Sequence, residues 1–479
     1  MDLKSRLYSN LPVALQNRLV SMYGSRILSE RFDSDYEKAM AFYEVSQWWS
    51  REELRAYQDE RLRTLVKHAF DTVPYYHEAM RGQGLSPDDI TTQGDLSKLP
   101  PLTKHDVRHN LDRLISTGAD RRRLHKAYTS GSTGLPVAVY WDHGVTTMNN
   151  ASLWRCRRWA QFEFGRPYAS LLVYAVVPER QSSPPFWRLN APWNQLLLSS
   201  LHLSVRNVPS YLEAMGERGV EALEAYPSTA YVLAQFMREL GAFFPLSCVF
   251  TTSEPLLDFQ REAIEERFRC GVYDAYGQAE RVMFSAECSE HRGHHVHEEY
   301  GITELVDSDG QPVPTGSVGR VLATGLHNYA MPLLRYEVGD AAAFTGEPCP
   351  CGRGLRLLDG VSTKAEDILV MPDGRMVTST AFLRAFKGVV GIDQIQVVQR
   401  VADHLTVRLV TNSGYGDRGE RTIRTRLRER FGEDVTLSFE FPETIPRTGR
   451  GKYRTVISDV PLQWGEATTA NLYQRERSE

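Results

Sequence analysis

The stretch DAYGQAE, residues 274–280, sets a carboxylate just beyond the end of a predicted strand, which is the run from Cys270 to Tyr273. Carboxylate oxygens are preferred ligands of hard cations, so Glu280 is a candidate to hold Mg²⁺ beside nucleotide phosphates. A lone glutamate in a turn is more often simply solvated. The surrounding sequence therefore has to decide between the two interpretations.

Around this stretch, from about residue 125 to 345, short β-rich runs alternate with helical stretches. The runs include CVFTT and VGRVLAT, and the helical stretches include YLEAMGERGVEAL and DFQREAIEERF. This alternation predicts an α/β domain.

The first hundred residues are predicted to be mainly helical. Ser50 with Glu53 has the spacing of a capping box, and Thr103 with Asp106 predicts a second helix that begins near residue 104. Residues 12–28 predict a short amphipathic helix. We expect its apolar stripe to dock on its own domain rather than on a membrane; the stripe consists of Leu15, Leu19, Val20 and Met22.

After about residue 360 the pattern changes to the alternating strands QIQVV, HLTVRLV and VTLSFEF, with one helix marked by Ile423, Leu427 and Phe431. This predicts a small α+β domain. The polar, Gly- and Pro-rich loop PETIPRTGRGKYR then presents Lys452.

Two more stretches are suited to a nucleotide. The hydroxyl- and glycine-rich residues 128–134 can wrap phosphate oxygens with N–H and hydroxyl donors, although such loops are also common turns and this one lacks a Walker lysine. In RYEVGD, residues 335–340, Asp340 can accept hydrogen bonds from both ribose hydroxyls, with an ordinary turn as the alternative. Their order, ahead of Lys452, favours a nucleotide site.

This ordered set resembles the adenylate-forming superfamily of acyl-CoA synthetases, and within it the phenylacetate-CoA ligase family. The family's phosphate loop looks like residues 129–134 and its Tyr-Gly-x-x-Glu element like residues 276–280. Its Arg-Tyr-x-x-Gly-Asp element looks like residues 335–340, and its Pro-Arg-Thr-x-x-Gly-Lys element like residues 446–452. The segments PCPCGRG, NQLLLSS and AERV are similar to ligase-like proteins of capsule and exopolysaccharide gene sets.

The resemblance implies an α/β fold with two domains. A large N-terminal adenylation domain is expected over residues 1–363, with a zinc-binding insertion at about 285–355. A small, mobile α+β domain is expected over residues 364–479.

The resemblance also implies the site residues. Lys452 is the expected catalytic cation, since joining a carboxylate to the α-phosphorus brings two anions together. Glu280 is expected to act through Mg²⁺ and Asp340 to bind the ribose. The implied nucleotide-binding residues are Ser130, Gly131, Ser132, Thr133, Gly134, Tyr276, Gly277, Asp340 and Lys364. Lys364 replaces the family's hinge arginine, and Thr252-Ser253-Glu254 replaces Gly-Gly-Glu beside the substrate pocket.

Six cysteines in a chain of 479 residues do not suit a disulfide framework. Cys156, Cys248 and Cys270 stand alone and are expected to be buried or inert. The other three cysteines can form a closed zinc site with one histidine, for which the candidates are His291, His294, His295 and His297. The resemblance to a structural zinc site in relatives implies the set Cys288, His295, Cys349 and Cys351.

The overall charge excludes some partners. A net charge of −4 does not favour nucleic acid, and acidic residues crowd the cysteines, which argues against a nucleic-acid-binding zinc ribbon. No signal-like or membrane-spanning apolar run is present in the sequence, so a cytoplasmic protein is expected.

The resemblance implies ATP- and Mg²⁺-dependent adenylation of a carboxylic acid, followed by transfer to coenzyme A, an amine or a carrier-protein thiol, in a setting of polysaccharide biosynthesis. The alternatives are a nucleotidyl transferase similar to deazaflavin-coenzyme adenylating enzymes and an inert scaffold for polysaccharide assembly. Retention of Lys452, Asp340 and Glu280 argues against the scaffold. The acid stays open, and a homodimer is one alternative for the assembly.

Overall fold

The N-terminal part of the chain is helical. The computed structural model describes residues 7–129, 137–172, 176–254, 256, 258–307, 309–317, 319–362, 368–373, 376–378, 382, 384–386, 388–445 and 456–460. Its first helices are α1 (Val13–Arg31), α2 (Ser34–Ser46), α3 (Arg51–Thr72), α4 (Pro74–Gly82) and α5 (Lys104–His109). Both predicted capping boxes are confirmed, at Ser50–Glu53 for α3 and at Thr103–Asp106 for α5.

Helix α1 rests on its own domain, as expected, but the predicted apolar stripe is not the face that docks: Val20 is half-buried and the other three residues of the stripe stay exposed. Leu15, Leu19 and Met22 are 46%, 44% and 62% exposed, whereas the fully buried residues of the helix are Gln16 and Gly24. The helix meets the sheet through polar contacts, because Gln16 accepts a hydrogen bond from Arg188 at 2.6 Å. Leu15, Leu19 and Met22 are left at its surface, whereas Ile27 and Leu28 pack against a core cluster.

Among the described residues, twelve strands form one sheet in the order β11-β12-β13-β14-β10-β9-β8-β7-β6-β3-β5-β4. A two-stranded ribbon of β1 and β2 stands apart from it. The strand bounds are β1 (His125–Tyr128), β2 (Ala138–Trp141), β3 (Tyr168–Leu171), β4 (Trp187–Asn190), β5 (Gln195–Leu198), β6 (Ala222–Ala225), β7 (Cys248–Thr252), β8 (Val272–Gly277), β9 (Phe284–Glu287), β10 (His294–Val296), β11 (Gly301–Val306), β12 (Gly319–Gly325), β13 (Tyr336–Phe344) and β14 (Leu357–Ser362).

The sheet has two halves. Strands β5, β3, β6, β7 and β8 run parallel, whereas β8 to β14 pair antiparallel. Open sheets with parallel strands place ligand sites at the carboxyl ends of those strands, and β8 carries residues 276 and 277 at that end.

The predicted helical stretch 211–223 is partly wrong, because its helix ends at Glu217 and Ala222 already belongs to β6.

The helices of this part of the chain alternate with the parallel strands. They are α6 (His143–Trp159), α7 (Val208–Glu217), α8 (Pro227–Glu239) and α9 (Asp258–Phe268). Within the ranges that the structure describes, no helix combines the length and the apolar character needed to cross a membrane.

The C-terminal part forms a second sheet. Strands β17 (Ile392–Val401), β18 (His404–Thr411), β19 (Thr436–Glu440) and β20 (Val456–Ser458) lie in the order β19-β18-β17-β20, and β15 (Ile368–Val370) pairs with β16 (Met376–Thr378). Helix α10 (Asp417–Phe431) buries Ile423, Leu427 and Phe431, as predicted. The predicted domain boundary at residue 364 lies outside the described residues and stays a prediction.

A buried ion pair ties α6 to the segment between β10 and β11. The guanidinium of Arg155 donates to both carboxylate oxygens of Glu299, at 2.7 and 3.2 Å, and both side chains are 0% exposed. Ser46 of α2 donates to the same carboxylate at 2.6 Å. Three separate parts of the chain therefore meet at one fully buried charge pair.

Removing one partner of such a pair leaves an uncompensated buried charge. We expect Glu299→Ala to lower the free energy of unfolding by about 3–5 kcal/mol, measured by urea titration. The control is Glu30→Ala, which removes an exposed pair with Arg26 on α1 and is expected to cost at most about 0.5 kcal/mol. Equal urea midpoints for the two variants would show that the buried pair does not stabilise the fold.

Candidate active site

Two tyrosines join two of the motifs predicted to bind nucleotide. Tyr276, at the end of β8, donates a hydrogen bond to Asp340 Oδ2 at 2.7 Å. Tyr336, at the start of β13, donates to Glu280 Oε1 at 2.6 Å. Each motif thus supplies a tyrosine that holds the carboxylate of the other. We call these two contacts the crossed tyrosine pair.

Burial keeps both tyrosines in the donor state. Burial, followed by the nearby carboxylate of Asp340, raises the pKa of Tyr276 well above its usual value. Burial and then Glu280 raise the pKa of Tyr336 in the same way. Both phenols therefore stay protonated and donate to carboxylates in ordinary conditions. Glu280 is only 5% exposed. Among the described residues its Oε2 has no hydrogen-bond partner, so this oxygen is available to coordinate a cation.

The turn that carries Glu280 is held from the β1–β2 ribbon. The indole N–H of Trp141, the last residue of β2, donates to the carbonyl of Ala279 at 2.8 Å. The guanidinium of Arg281 lies 3.5 Å from the centre of the same indole ring. The ribbon is therefore coupled directly to the turn, and this was not visible in the sequence.

A lysine that the sequence analysis did not select lies beside Asp340. Gly339 has a φ of +91°, and a Cβ built at this glycine would lie 3.3 Å from Lys104 Nζ. Lys104 reaches this place because Leu102 pairs through its backbone with Arg335 and Glu337, at 3.0 and 2.9 Å. The Thr103 capping box was the only signal in this segment, and it indicates a helix start, not a site.

Arg335, although it belongs to a motif, has a structural role. Its guanidinium donates to the carbonyls of Leu99 and Gly310 at 2.7 and 2.9 Å and to Glu304 at 3.1 Å. The side chain is 4% exposed. It therefore clamps three segments around the base of β13 and is not available to a ligand.

The segment that the resemblance predicts beside the substrate pocket has a strained backbone. Ser253, which stands where the family has glycine, has a φ of +71°, in the left-handed region that favours glycine. Glu254 is buried and accepts a hydrogen bond from the backbone N–H of Ser228 at 3.1 Å, at the start of α8. The carboxylate thus joins the ends of β7 and β6.

Several predicted site residues fall outside the described residues. They are Ser130, Gly131, Ser132, Thr133, Gly134, Lys364 and Lys452. The residues that flank this segment extend the β1–β2 ribbon: the backbone N–H of Thr129 donates to the carbonyl of Val137 at 3.0 Å, and the N–H of Val137 donates to the Thr129 hydroxyl at 2.9 Å. The same ribbon contacts the Glu280 turn through Trp141, as described above.

The predicted metal ligands come together at neighbouring strands of the main sheet. Cys288 follows β9, His295 lies in β10, and Cys349 and Cys351 lie in the connection before β14. Their ligand atoms all lie within 4.8 Å of one another. Cys288 Sγ is 3.7 Å from Cys349 Sγ, and Cys351 Sγ is 3.3 Å from His295 Nε2.

The structure also separates the four histidines. His291 pairs with Glu287 and His294 with Asp274, each at 3.4 Å. His297 is buried against the rings of Trp159 and Phe284. Only His295 joins the cysteines among the described residues.

Comparisons with known proteins find relatives over most of the chain. The family model of the CapK C-terminal domain matches residues 369–459. The chain is 26% identical to protein CapK of Staphylococcus aureus over 95% of this chain and 99% of that protein. It is 28% identical to phenylacetate-coenzyme A ligase of Thermus thermophilus over 85% of this chain and 97% of that protein. Its fold is similar to that of 2-hydroxyisobutyryl-CoA ligase, crystallised with an acyl-AMP and CoA, with a TM-score of 0.55 and 21% identity over 86% and 91% of the two chains.

The crossed tyrosine pair predicts a matched stability test. Tyr336→Phe removes the donor to a buried carboxylate and is expected to lower the free energy of unfolding by about 1–3 kcal/mol. The control is Tyr75→Phe, because among the described residues the hydroxyl of this half-buried tyrosine makes no hydrogen bond. Urea titration of both variants measures the difference, and equal values would show that the contact with Glu280 contributes nothing.

Proposed function

Because the chain belongs to the phenylacetate-CoA ligase-like branch of the adenylate-forming superfamily, we propose that it converts a carboxylic acid to an acyl-AMP with ATP and Mg²⁺ and passes the acyl group to a thiol or amine acceptor. The crossed tyrosine pair carries this proposal. It positions two carboxylates, Glu280 and Asp340, at the carboxyl end of the parallel strands. Coenzyme A is the acceptor favoured by the activities of these relatives, which are CoA ligases.

The proposed roles follow from the hydrogen bonds. With Oε1 held by Tyr336, Glu280 keeps Oε2 to bind Mg²⁺, which would neutralise phosphate charge during adenylation. Asp340, oriented by Tyr276, would accept the ribose hydroxyls. Lys104, next to Gly339, would add a positive charge at this end of the site.

The remaining roles rest on the sequence resemblance. Residues 130–134 would contact the phosphates, and Tyr276 and Gly277 would border the nucleotide. Lys364 would stand at the hinge, and Lys452 would bridge the carboxylate and the α-phosphate. A lysine is suited to this task because its compact charge stabilises the crowded phosphoryl centre. A place in polysaccharide biosynthesis stays a prediction from the sequence.

Adenylation can be tested without knowledge of the acceptor. We expect pyrophosphate exchange across a panel of aryl, fatty and sugar acids to identify an active substrate. Glu280→Gln and Lys452→Ala should each reduce that exchange on the order of a hundredfold, while Lys452→Ala leaves transfer from pre-made acyl-AMP intact.

The control for this test is Glu78→Gln, which alters an exposed pair with Arg113 and should leave the exchange unchanged. Wild-type protein that exchanges pyrophosphate with none of the acids would favour the inert scaffold. AMP retained on the final product would favour the nucleotidyl transferase.

We also propose that Cys288, His295, Cys349 and Cys351 hold a structural zinc ion. The 3.7 Å between two of the sulfurs is close to the separation of roughly 3.8 Å that Zn–S bonds of about 2.3 Å give in a tetrahedron. His295 suits the fourth place, because its Nδ1 faces the carbonyl of Leu355 at 3.4 Å and leaves Nε2 toward the thiols. Four protein ligands leave no open position, so the ion would stabilise the fold and take no part in catalysis.

Metal analysis tests the zinc site. We expect about one equivalent of zinc in the wild type and none in the double variant Cys349→Ser/Cys351→Ser, which should also unfold at a lower temperature and keep residual adenylation. The control Cys270→Ser changes a cysteine outside the cluster and should retain zinc. Pure wild-type protein without zinc would contradict the proposal.

A further inference from the structure

A large cavity lies away from the crossed tyrosine pair. Its volume is about 1490 Å³, and helix α1, strands β3, β4 and β5, and helix α10 surround it. None of Tyr276, Glu280 and Asp340 lines it. We call this cavity the α1–α10 cleft. It is built by described residues from both ends of the chain.

The α1 wall of the cleft is apolar. Leu19, Val20 and Ile27 line it from the helix, and Val177 and Leu197 line it from the sheet side. Leu19 is 44% exposed, because α1 turns Gln16 and Gly24, and not Leu19, toward the sheet. Apolar surface that stays exposed at the edge of a cavity is typical of a ligand or partner site.

The lining of the cleft is strongly basic. Seven arginines line the cleft against three glutamates, in a protein whose net charge is −4. Glu224 and Glu179 are already paired, with Arg157 and Arg430 respectively. Among the described residues, no carboxylate lies within 4.0 Å of the guanidinium nitrogens of three of these arginines, which are Arg31, Arg418 and Arg421. Cations left unpaired in a concave site attract an anion.

Asn190, Gln195 and Glu224 line the sheet side of the cleft and are joined by hydrogen bonds. Asn190 donates to Gln195 at 2.8 Å, and Gln195 donates at 2.7 Å to Ser170, which donates to Glu224 at 2.8 Å. Arg157 also donates to Glu224, so its charge is neutralised, although its Nε and Asn190 Oδ1 have no hydrogen-bond partner among the described residues. An anionic group is therefore expected beside α10, where Arg418 and Arg421 lack a carboxylate partner within the described part of the chain.

We propose that the α1–α10 cleft binds one molecule of an anionic amphiphile, whose phosphate or carboxylate pairs with Arg418 and Arg421 of α10 and whose hydrocarbon chain lies along Leu19, Val20 and Ile27. The charge of α10 and the apolar α1 wall select this class together, because neither a plain anion nor a neutral lipid uses both. The binding does not depend on the proposed adenylation activity.

Calorimetric titration of the full chain with dodecyl phosphate, below its micelle concentration, tests the charged end. We expect one molecule to bind and Arg421→Gln to weaken the binding about tenfold, the effect of losing one charge-assisted hydrogen bond. The control is Arg424→Gln on the same helix, because Arg424 already pairs with Glu420 and lies over the ring of Phe439. Equal effects of the two variants would overturn the proposal.

The apolar wall is tested with a second matched pair. Leu19→Ser should weaken binding of dodecyl phosphate severalfold, whereas Leu240→Ser, at a leucine that is similarly exposed (42%), should not.

Other ligands test whether both features are needed. Inorganic phosphate lacks the hydrocarbon chain and dodecyl maltoside lacks the charge, so either one binding as tightly as dodecyl phosphate would overturn the proposal. Displacement of the probe by coenzyme A at equal affinity would assign the cleft to the ligase acceptor and overturn it too. A doubled molecular mass in light scattering would show a second copy as the occupant instead.

Discussion

The crossed tyrosine pair is the constraint on which the candidate site depends. Its two hydrogen bonds connect the end of a parallel strand, β8, with β13 of the antiparallel half of the sheet. Because both phenols are buried and both acceptors are carboxylates, loss of either contact leaves a buried polar group unsatisfied. The same contacts that stabilise the junction of the two sheet halves therefore orient Glu280 and Asp340. Stability and ligand geometry cannot vary independently here.

The antiparallel half gives this junction a rigid support. The Cys–His cluster joins the β9 end to β10 and to the connection before β14. Directly along the chain from β10, Glu299 is fixed by Arg155 and Ser46, and the carboxylate of Glu298 is held by Arg356 at 2.8 Å. These contacts place helices α2 and α6 against the strands that lead to β13. We interpret this region as a platform, since none of these groups faces the crossed tyrosine pair.

Helix α1 keeps several apolar side chains exposed and approaches the sheet closely through a glycine. A helix with exposed leucines loses hydrophobic stabilisation that burial would have supplied. Here the approach to the sheet uses Gly24, where a Cβ would lie 1.9 Å from Asn190 Oδ1, so only glycine allows such close contact. With the helix in this position, Leu19, Val20 and Ile27 line the α1–α10 cleft. The arrangement is understandable if the cleft, and not the core, is the place where those side chains become covered.

Local rules determined much of what the sequence predicted correctly. Capping boxes at Ser50 and Thr103 and the helix period of Ile423, Leu427 and Phe431 depend on neighbours a few residues away, and all are present. The motif around Glu280 could be located, and four metal ligands could be proposed, because their residue types carry the chemistry. Tertiary structure alone decided the rest. The tyrosine contacts join residues 64 and 56 positions apart, and Lys104 approaches Gly339 because Leu102 pairs with the distant segment around Tyr336. His295 is separated from the other three histidines because each of those contacts a different acid or aromatic group. The exposed stripe of α1 was predicted wrongly for the same reason: amphipathic spacing shows that a helix has two faces, but only its packing partner decides which face is buried.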